Sequence, residues 1–177
     1  MKIRQGALRD VPRLHQLIES AYRGDSARQG WTHEADLLRG QRTDEAALIE
    51  TLQNRDKRIL VAESEGEMVG SVQVESHDAG LAYLGQLAVD PGKQGGGIGT
   101  FLIKAAEALA VELFAADRME MTVIKQRPEL LAYYVRRGYD ETVEMRPFPF
   151  DDDRVGIAVH HDLSFTLLSK ALRRATP

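Results

Sequence analysis

Apolar residues recur along this chain at two spacings, and the changes between them mark out the elements. After a first strand around Ile3, the residues Leu14, Leu17, Ile18 and Ala21 repeat at helical spacing. Asp10 is placed to cap that helix, with Pro12 in its first turn. A second helix is predicted from Thr43-Asp44, with Ala47, Leu48 and Leu52 inward. The period then shortens to two. Ile59 to Glu63 reads as a strand, Glu65-Gly66-Glu67 as a hairpin turn, and Met68 to Glu75 as the returning strand, with Val69, Val72 and Val74 set among Ser71 and Gln73. His77-Asp78-Ala79-Gly80 turns the chain into a strand carrying Leu84 to Val89. Ile98, Phe101, Leu102, Ala105, Leu109 and Leu113 define one face of a long helix. Met119, Met121 and Val123 alternate as another strand, and Arg127-Pro128 opens a further helix that Gly138 ends. Tyr139 to Met145 and Leu163 to Leu168 complete the strands.

This order is an antiparallel meander followed by strand–helix–strand–helix–strand. It predicts one mixed α/β domain over residues 1–177 with helices on both faces of the sheet, and no linker, repeat or low-complexity tract interrupts it. Two stretches escape the pattern: Tyr22 to Leu38, loosened by Gly24 and Gly30, and Arg146 to His161, a long connection between strands. Phe148 and Phe150 of the second, and the first stretch from the opposite side, are candidates to cover a pocket, with plain surface packing as the alternative.

Composition narrows the chemistry. A chain of 177 residues with 43% hydrophobic and 28% charged residues is long enough to bury a core of its own. No apolar run approaches the roughly 20 residues of a membrane span, and the opening MKIRQGALRD has no signal-peptide core, so the cytoplasm is the expected location. The absence of cysteine removes disulfides, thiolate metal sites and acyl-cysteine intermediates together. A net charge of −4 without a basic cluster argues against a nucleic-acid partner. His160-His161-Asp162 is not expected to hold a metal, because adjacent strand residues point to opposite faces.

The densest signal is Leu84 to Lys104, LGQLAVDPGKQGGGIGTFLIK. A short apolar strand, Leu87-Ala88-Val89, is stopped by Asp90-Pro91-Gly92, and Gly95, Gly96, Gly97 and Gly99 leave the backbone bare where the long helix begins. Unpaired N–H groups and the positive end of the helix dipole suit phosphate oxygens there. Glycines alone fit a tight turn equally well. No register matches G-x-x-x-x-G-K-[ST] or G-x-G-x-x-G. Gln94, Gly97 and Gly99 do match Q-x-x-G-x-G, and after the strand LAVDP this resembles the acyl-coenzyme A pyrophosphate loop of the GNAT (GCN5-related) N-acetyltransferase superfamily. The segment RPELLAYYVRRGYDE resembles that family's fourth helix, N-x-x-A-x-x-x-Y-x-x-x-G-F/Y, with Tyr134, Gly138 and Tyr139 in its last three fixed positions. The order of elements resembles the GNAT fold over most of the chain.

The resemblance implies acetyl-CoA as cosubstrate and no metal. It implies a pyrophosphate cradle of Gln94, Gly95, Gly96, Gly97, Ile98, Gly99 and Thr100, with Leu87, Ala88 and Val89 as the edge for the pantetheine arm and an N–H near Val89 for the thioester oxygen. Tyr134 would be the acid or hydrogen-bond donor to the departing thiolate. Arg127 stands where the family has asparagine and Leu130 where it has alanine; Asn54 is the one asparagine in the chain, so no neighbour replaces the missing side chain. The acceptor is expected to be a small-molecule amine, with Trp31, Glu34 and Asp36 suited to one that is cationic and partly apolar. Tyr83, Gln86, Glu75, His77 and Glu34 all stay open as the general base. A protein or peptide N-acetyltransferase, a non-catalytic acyl-CoA sensor and a nucleotide-binding loop stand as alternatives. A homodimer is left open because relatives of the fold are often dimers.

Overall fold

The computed structural model describes residues 1–152 and 156–172. Positions 153–155 of the long connection and 173–177 of the predicted domain lie outside the described residues. The period-two segments build a sheet of seven strands among the described residues: β1 (Lys2–Gln5), β3 (Lys57–Ser64), β4 (Glu67–Ser76), β5 (Leu81–Val89), β6 (Arg118–Ile124), β9 (Ser164–Ala171) and β7 (Asp140–Pro147), side by side in that order. β5 and β6 run parallel and every other neighbouring pair in this sheet is antiparallel, so the second half of the sheet is less parallel than strand–helix alternation suggests. The long connection is the reason. It lets β9 insert between β6 and β7 and run against both. That connection also contains β8 (Ile157–Ala158), paired with β2 (Leu38–Arg39) in a small second sheet that the sequence pattern did not reveal.

Alternation along β3 explains the layers. Ile59 and Val61 pack with Leu14, Leu17 and Ile18 of α1 (Val11–Tyr22) and Leu48 of α3 (Glu45–Gln53), while Leu60 and Ala62 face α4 (Ile98–Phe114) and α5 (Pro128–Val135). Helices therefore cover both faces, as expected. The short α2 (Gly24–Ala27) follows α1. Asp44 caps α3 by accepting the Ala47 N–H at 2.8 Å, but Ala47 itself is exposed and Leu48 alone of its helix is fully buried.

Two expectations are corrected. Asp10 is not a side-chain cap for α1. Its carboxylate takes both guanidinium nitrogens of Arg4, at 2.7 and 2.9 Å, and the Ala7 N–H at 2.8 Å, tying β1 to a 3-10 turn (Leu8–Asp10) that leads into the helix. Arg4 holds that carboxyl below the usual aspartate range. The buried stripe of α4 is Ile98, Leu102, Ile103, Ala106 and Ala110, while Phe101 and Leu113 are exposed. Its i, i+4 ridge lies against Gly70 of β4, where a Cβ would come within 2.8 Å of the Leu102 Cδ1. The small residue draws the helix onto that ridge.

Candidate functional site

The site begins with a defect in β5. Gln73 pairs with Gly85 and Ser71 with Ala88, so Val72 is opposed by two residues, Gln86 and Leu87. Gln86 absorbs the extra residue in the left-handed region, at φ 45°. The bulge reverses the alternation: Ala82 and Leu84 face α4, and beyond it Leu87 and Val89 do so, while Ala88 turns toward α1. It also ends the pairing with β6. The parallel ladder runs only from Leu81–Arg118 to Tyr83–Glu120, after which the two strands separate and open a gap in the sheet.

Two cavities meet in that gap. The first is lined by Leu87 and Val89 of β5, by Gln94, Gly95, Gly97, Ile98, Gly99 and Thr100, and by Trp31 and Tyr133. Gly95 and Gly97 have φ of 86° and 81°, which an L side chain resists, and the space a Cβ would take at either is open. Bare backbone at the N-terminus of α4 thus borders a cavity, which is the arrangement a pyrophosphate requires. Gln94 holds the loop in place: its Oε1 accepts the Trp31 N–H at 2.9 Å and its Nε2 donates to the Val89 carbonyl at 3.3 Å. A Cβ on Gly30 would lie 2.6 Å from that Oε1, so the glycine keeps the residue 24–37 segment close to the loop. Thr100 Oγ1 accepts from Arg137 Nε and Nη2 at 3.0 and 2.6 Å, and the Arg137 guanidinium lies 3.3 Å from the center of the Tyr133 ring. Gly96 of the predicted cradle and Ala88 of the predicted pantetheine edge do not line the cavity; Ala88 is buried against α1.

The second cavity lies on the other side of the gap, between Gln73, Glu75, Gly85 and Gln86 on one wall and Met121 to Ile124 on the other. Tyr22, Leu87, Arg127, Leu130 and Tyr134 line both cavities. Tyr134 is largely buried and its ring packs edge-on against Tyr133 and Tyr139, yet its hydroxyl has no hydrogen-bond partner among the described residues. Burial, reinforced by Tyr22 and Tyr133, holds that hydroxyl above the usual tyrosine range against the opposing pull of Arg127 and Arg137. It is a protonated donor at neutral pH. Tyr22, pushed up to about 12 mainly by burial, donates to the Leu87 carbonyl at 2.8 Å.

The base candidates sort by position. Glu34, Glu75, Tyr83 and Gln86 reach the second cavity; His77 does not. Tyr83 is committed to Thr122, bonding its hydroxyl and accepting its N–H at 3.0 Å. Glu34 pairs with buried Arg23 at 2.5 Å and Glu75 with Lys57 at 3.2 Å. The proposed acceptor trio does not assemble. Trp31 lines the first cavity, against Tyr133 at 5.2 Å, and Asp36 pairs with Arg28 outside both cavities. Phe148 is buried behind the wall with Leu38, Ile124 and Leu163, and Phe150 stacks outside it, so neither lines the pocket. The Tyr22–Leu38 segment does line it, through Tyr22, Glu34 and Leu38. Arg127, at the asparagine position, is buried and bonds Thr32 Oγ1 at 2.9 Å.

The profile of the acetyltransferase (GNAT) family matches residues 12–139, more than half of the chain. The chain belongs to the GNAT acetyltransferase family. GNAT acetyltransferases generally use acetyl-CoA, and among the described residues no cluster of His, Asp and Glu is arranged to hold a metal. No curated protein sequence matches the chain. Solved structures share the fold at low identity: smu.2055 from Streptococcus mutans UA159 (15% identity, 98% of this chain and 100% of that one, TM-score 0.74) and a ribosomal-protein-alanine N-acetyltransferase from Brucella melitensis (20%, 97% and 100%, 0.72). A variant of the spermidine N-acetyltransferase SpeG from Vibrio cholerae is also similar (13%, 97% and 93%, 0.69). Among the described residues, no helix of this GNAT chain is long and apolar enough to cross a membrane.

Proposed function

We propose that this GNAT acetyltransferase transfers acetyl from acetyl-CoA directly to the primary amine of a small molecule. The observation that carries the reading is the unpartnered Tyr134 hydroxyl where the glycine-loop cavity and the second cavity meet. The pyrophosphate lies on the N–H groups of Gly95 to Gly99, and the arm follows Leu87 and Val89 to the gap in the sheet. The acceptor enters from the side of Glu75 and Gln86. Its nitrogen lone pair attacks the thioester carbonyl carbon, the C–S bond breaks, and one amine proton leaves as the amide forms.

Tyr134 meets the developing thiolate. With ordinary values of ~10 for tyrosine and ~8.5 for a thiol, full proton transfer is uphill by about 2 kcal/mol, and burial of Tyr134 raises that further. Its contribution is a hydrogen bond that strengthens as charge reaches sulfur. The amine must arrive deprotonated; at a lysine-like pKa of ~10.4 about one molecule in 2,500 is neutral at pH 7. Glu75 and Glu34, each paired with a cation, line the cavity through which that proton leaves to water.

A small acceptor is favoured because the Tyr22–Leu38 segment walls the second cavity through Tyr22, Glu34 and Leu38, the last held in place by its pairing with β8. The test is a screen of amines, amino acids and short peptides with acetyl-CoA, read by thiol release and by mass of the product. Acetylation of a small amine supports the reading. Acetylation of peptides alone makes the protein a peptide N-acetyltransferase, and coenzyme binding with no acetylated product makes it a sensor.

A further inference from the structure

Two carboxylates and two guanidiniums line the acceptor cavity, but they are not paired with one another. Its acidic residues are already committed: Glu34 to Arg23 at 2.5 Å and Glu75 to Lys57 at 3.2 Å. Its two arginines are less fully committed. Arg42 has no carboxylate partner among the described residues; its guanidinium carbon lies 5.1 Å from the center of the Tyr22 ring, and its backbone is fixed by Glu19, which accepts the Arg42 and Thr43 N–H groups at 2.6 and 2.9 Å. Arg127 spends one nitrogen on Thr32 and another on Glu129 at 3.3 Å, a carboxylate that is half exposed and therefore screened by water. Both arginines lie near Tyr22: Arg42, Arg127 and Arg23 each act to lower the pKa of its hydroxyl, and Glu34 alone of the named charges raises it. With Glu34 and Glu75 matched by Arg23 and Lys57, and Arg127 by Glu129, the charge left over beside Tyr22 is that of Arg42.

We propose that the acceptor amine carries a compact anion, a carboxylate or a phosphonate, which docks between Arg42 and Arg127 and aims the amine at the gap beside Tyr134. This deepens the N-acetyltransferase reading and rests on it. Guanidinium is the side chain best matched to such an anion, because its planar fork can give two parallel hydrogen bonds. A purely cationic amine would be repelled by the two guanidiniums, whereas an amino acid brings its own counter-charge. Selectivity of this kind penalises the analogue lacking the anion, since the part-buried Arg42 is then left without a carboxylate partner.

Two measurements test this. The first is kcat/KM by thiol release for matched sets: an amino acid, its decarboxylated amine, its methyl ester and its aminophosphonate counterpart. The second is calorimetric binding of an N-acetyl amino acid and of its neutral amide to the coenzyme A-loaded protein, which needs no turnover. The anionic members should exceed the decarboxylated amine by at least about 30-fold in kcat/KM, and the N-acetyl acid should bind at least about 10-fold tighter than its amide, the scale of a charge-assisted hydrogen bond. Carboxylate and phosphonate arms show which anion the pair prefers. Arg42→Gln should bring both ratios close to one, Arg42→Lys should restore part of them, and coenzyme affinity should stay within about 2-fold in either variant as evidence of folding. Decarboxylated amines turned over as well as the acids, or equal binding of acid and amide, overturns the proposal. Absent thiol release with every amine overturns the transferase reading instead, and a preference for the N-acetyl acid over its amide would still uphold the anion site.

Discussion

Replacing Gly97 by alanine separates the two things a glycine can do at the head of α4. The residue has φ 81° and ψ 1°, and an L side chain in that region costs about 1–2 kcal/mol. For a chain of this length such a loss lowers Tm by about 2–8 °C. A tight turn that merely needed the conformation would show this effect and no other. The added Cβ meets no atom within 4 Å in the free protein, so no clash adds to the stability loss. It instead occupies the open cavity over the loop, where phosphate oxygens would approach the N–H groups. Losing one charge-assisted hydrogen bond of about 1.5–3 kcal/mol weakens coenzyme binding about 10- to 100-fold. The assay is calorimetric titration with coenzyme A, at a temperature well below the variant's melting transition, alongside thermal unfolding of the free protein. A variant that melts lower but binds coenzyme A with wild-type affinity would refute the cradle and leave a structural turn.

Gly30→Ala should weaken coenzyme A binding in the same titration without touching the loop itself, because the new methyl displaces the Gln94 side chain from Trp31 and Val89; Gln94→Ala should give the same loss, and a normal Kd in both would detach Gln94 from the site. Asp10→Asn should destabilise the fold by about 1.5–3 kcal/mol at pH 7, measured by urea unfolding, since Arg4 and the Ala7 N–H lose a charged acceptor. The sign follows from the lowered pKa of Asp10: its contribution is present above about pH 4 and is lost as pH falls, so the variant's stability should decline less steeply than wild type's in acid. Parallel acid limbs would show that the Arg4 pair contributes nothing.

Much of the fold was legible because burial in a two-layer sandwich imposes strict periods. The α1 stripe of Leu14, Leu17, Ile18 and Ala21 is wholly buried, and the strands from Lys57 to Val89 lie where alternation put them. The glycine loop was legible because glycine is required at particular φ values, and Gly95 and Gly97 adopt them. What escaped the pattern depends on contacts between distant parts of the chain. The stripe on α4 was drawn with Phe101 and Leu113, whereas Gly70 on another strand decides which ridge is drawn inward. The β5 bulge has no sequence signature, since Gln86 is an ordinary residue held at positive φ by its neighbours. Arg42 lies in a loop without periodicity to single it out, and Arg137, four residues after Tyr133, follows a helical spacing that could have revealed its stacking. Trp31 was placed with the acceptor because its segment was right, but side-chain direction within a loop is not periodic.

The junction of the two cavities at Tyr134 is the center of the account, and Tyr134→Phe tests it most directly. The substitution removes one hydroxyl that bonds to nothing among the described residues and keeps the ring against Tyr133 and Tyr139. With the best amine from the screen, kcat should fall by about 10²–10³, while the Kd for acetyl-CoA stays within about 2-fold and Tm is unchanged. Wild-type kcat, or a loss of coenzyme binding with full turnover per bound enzyme, would contradict it.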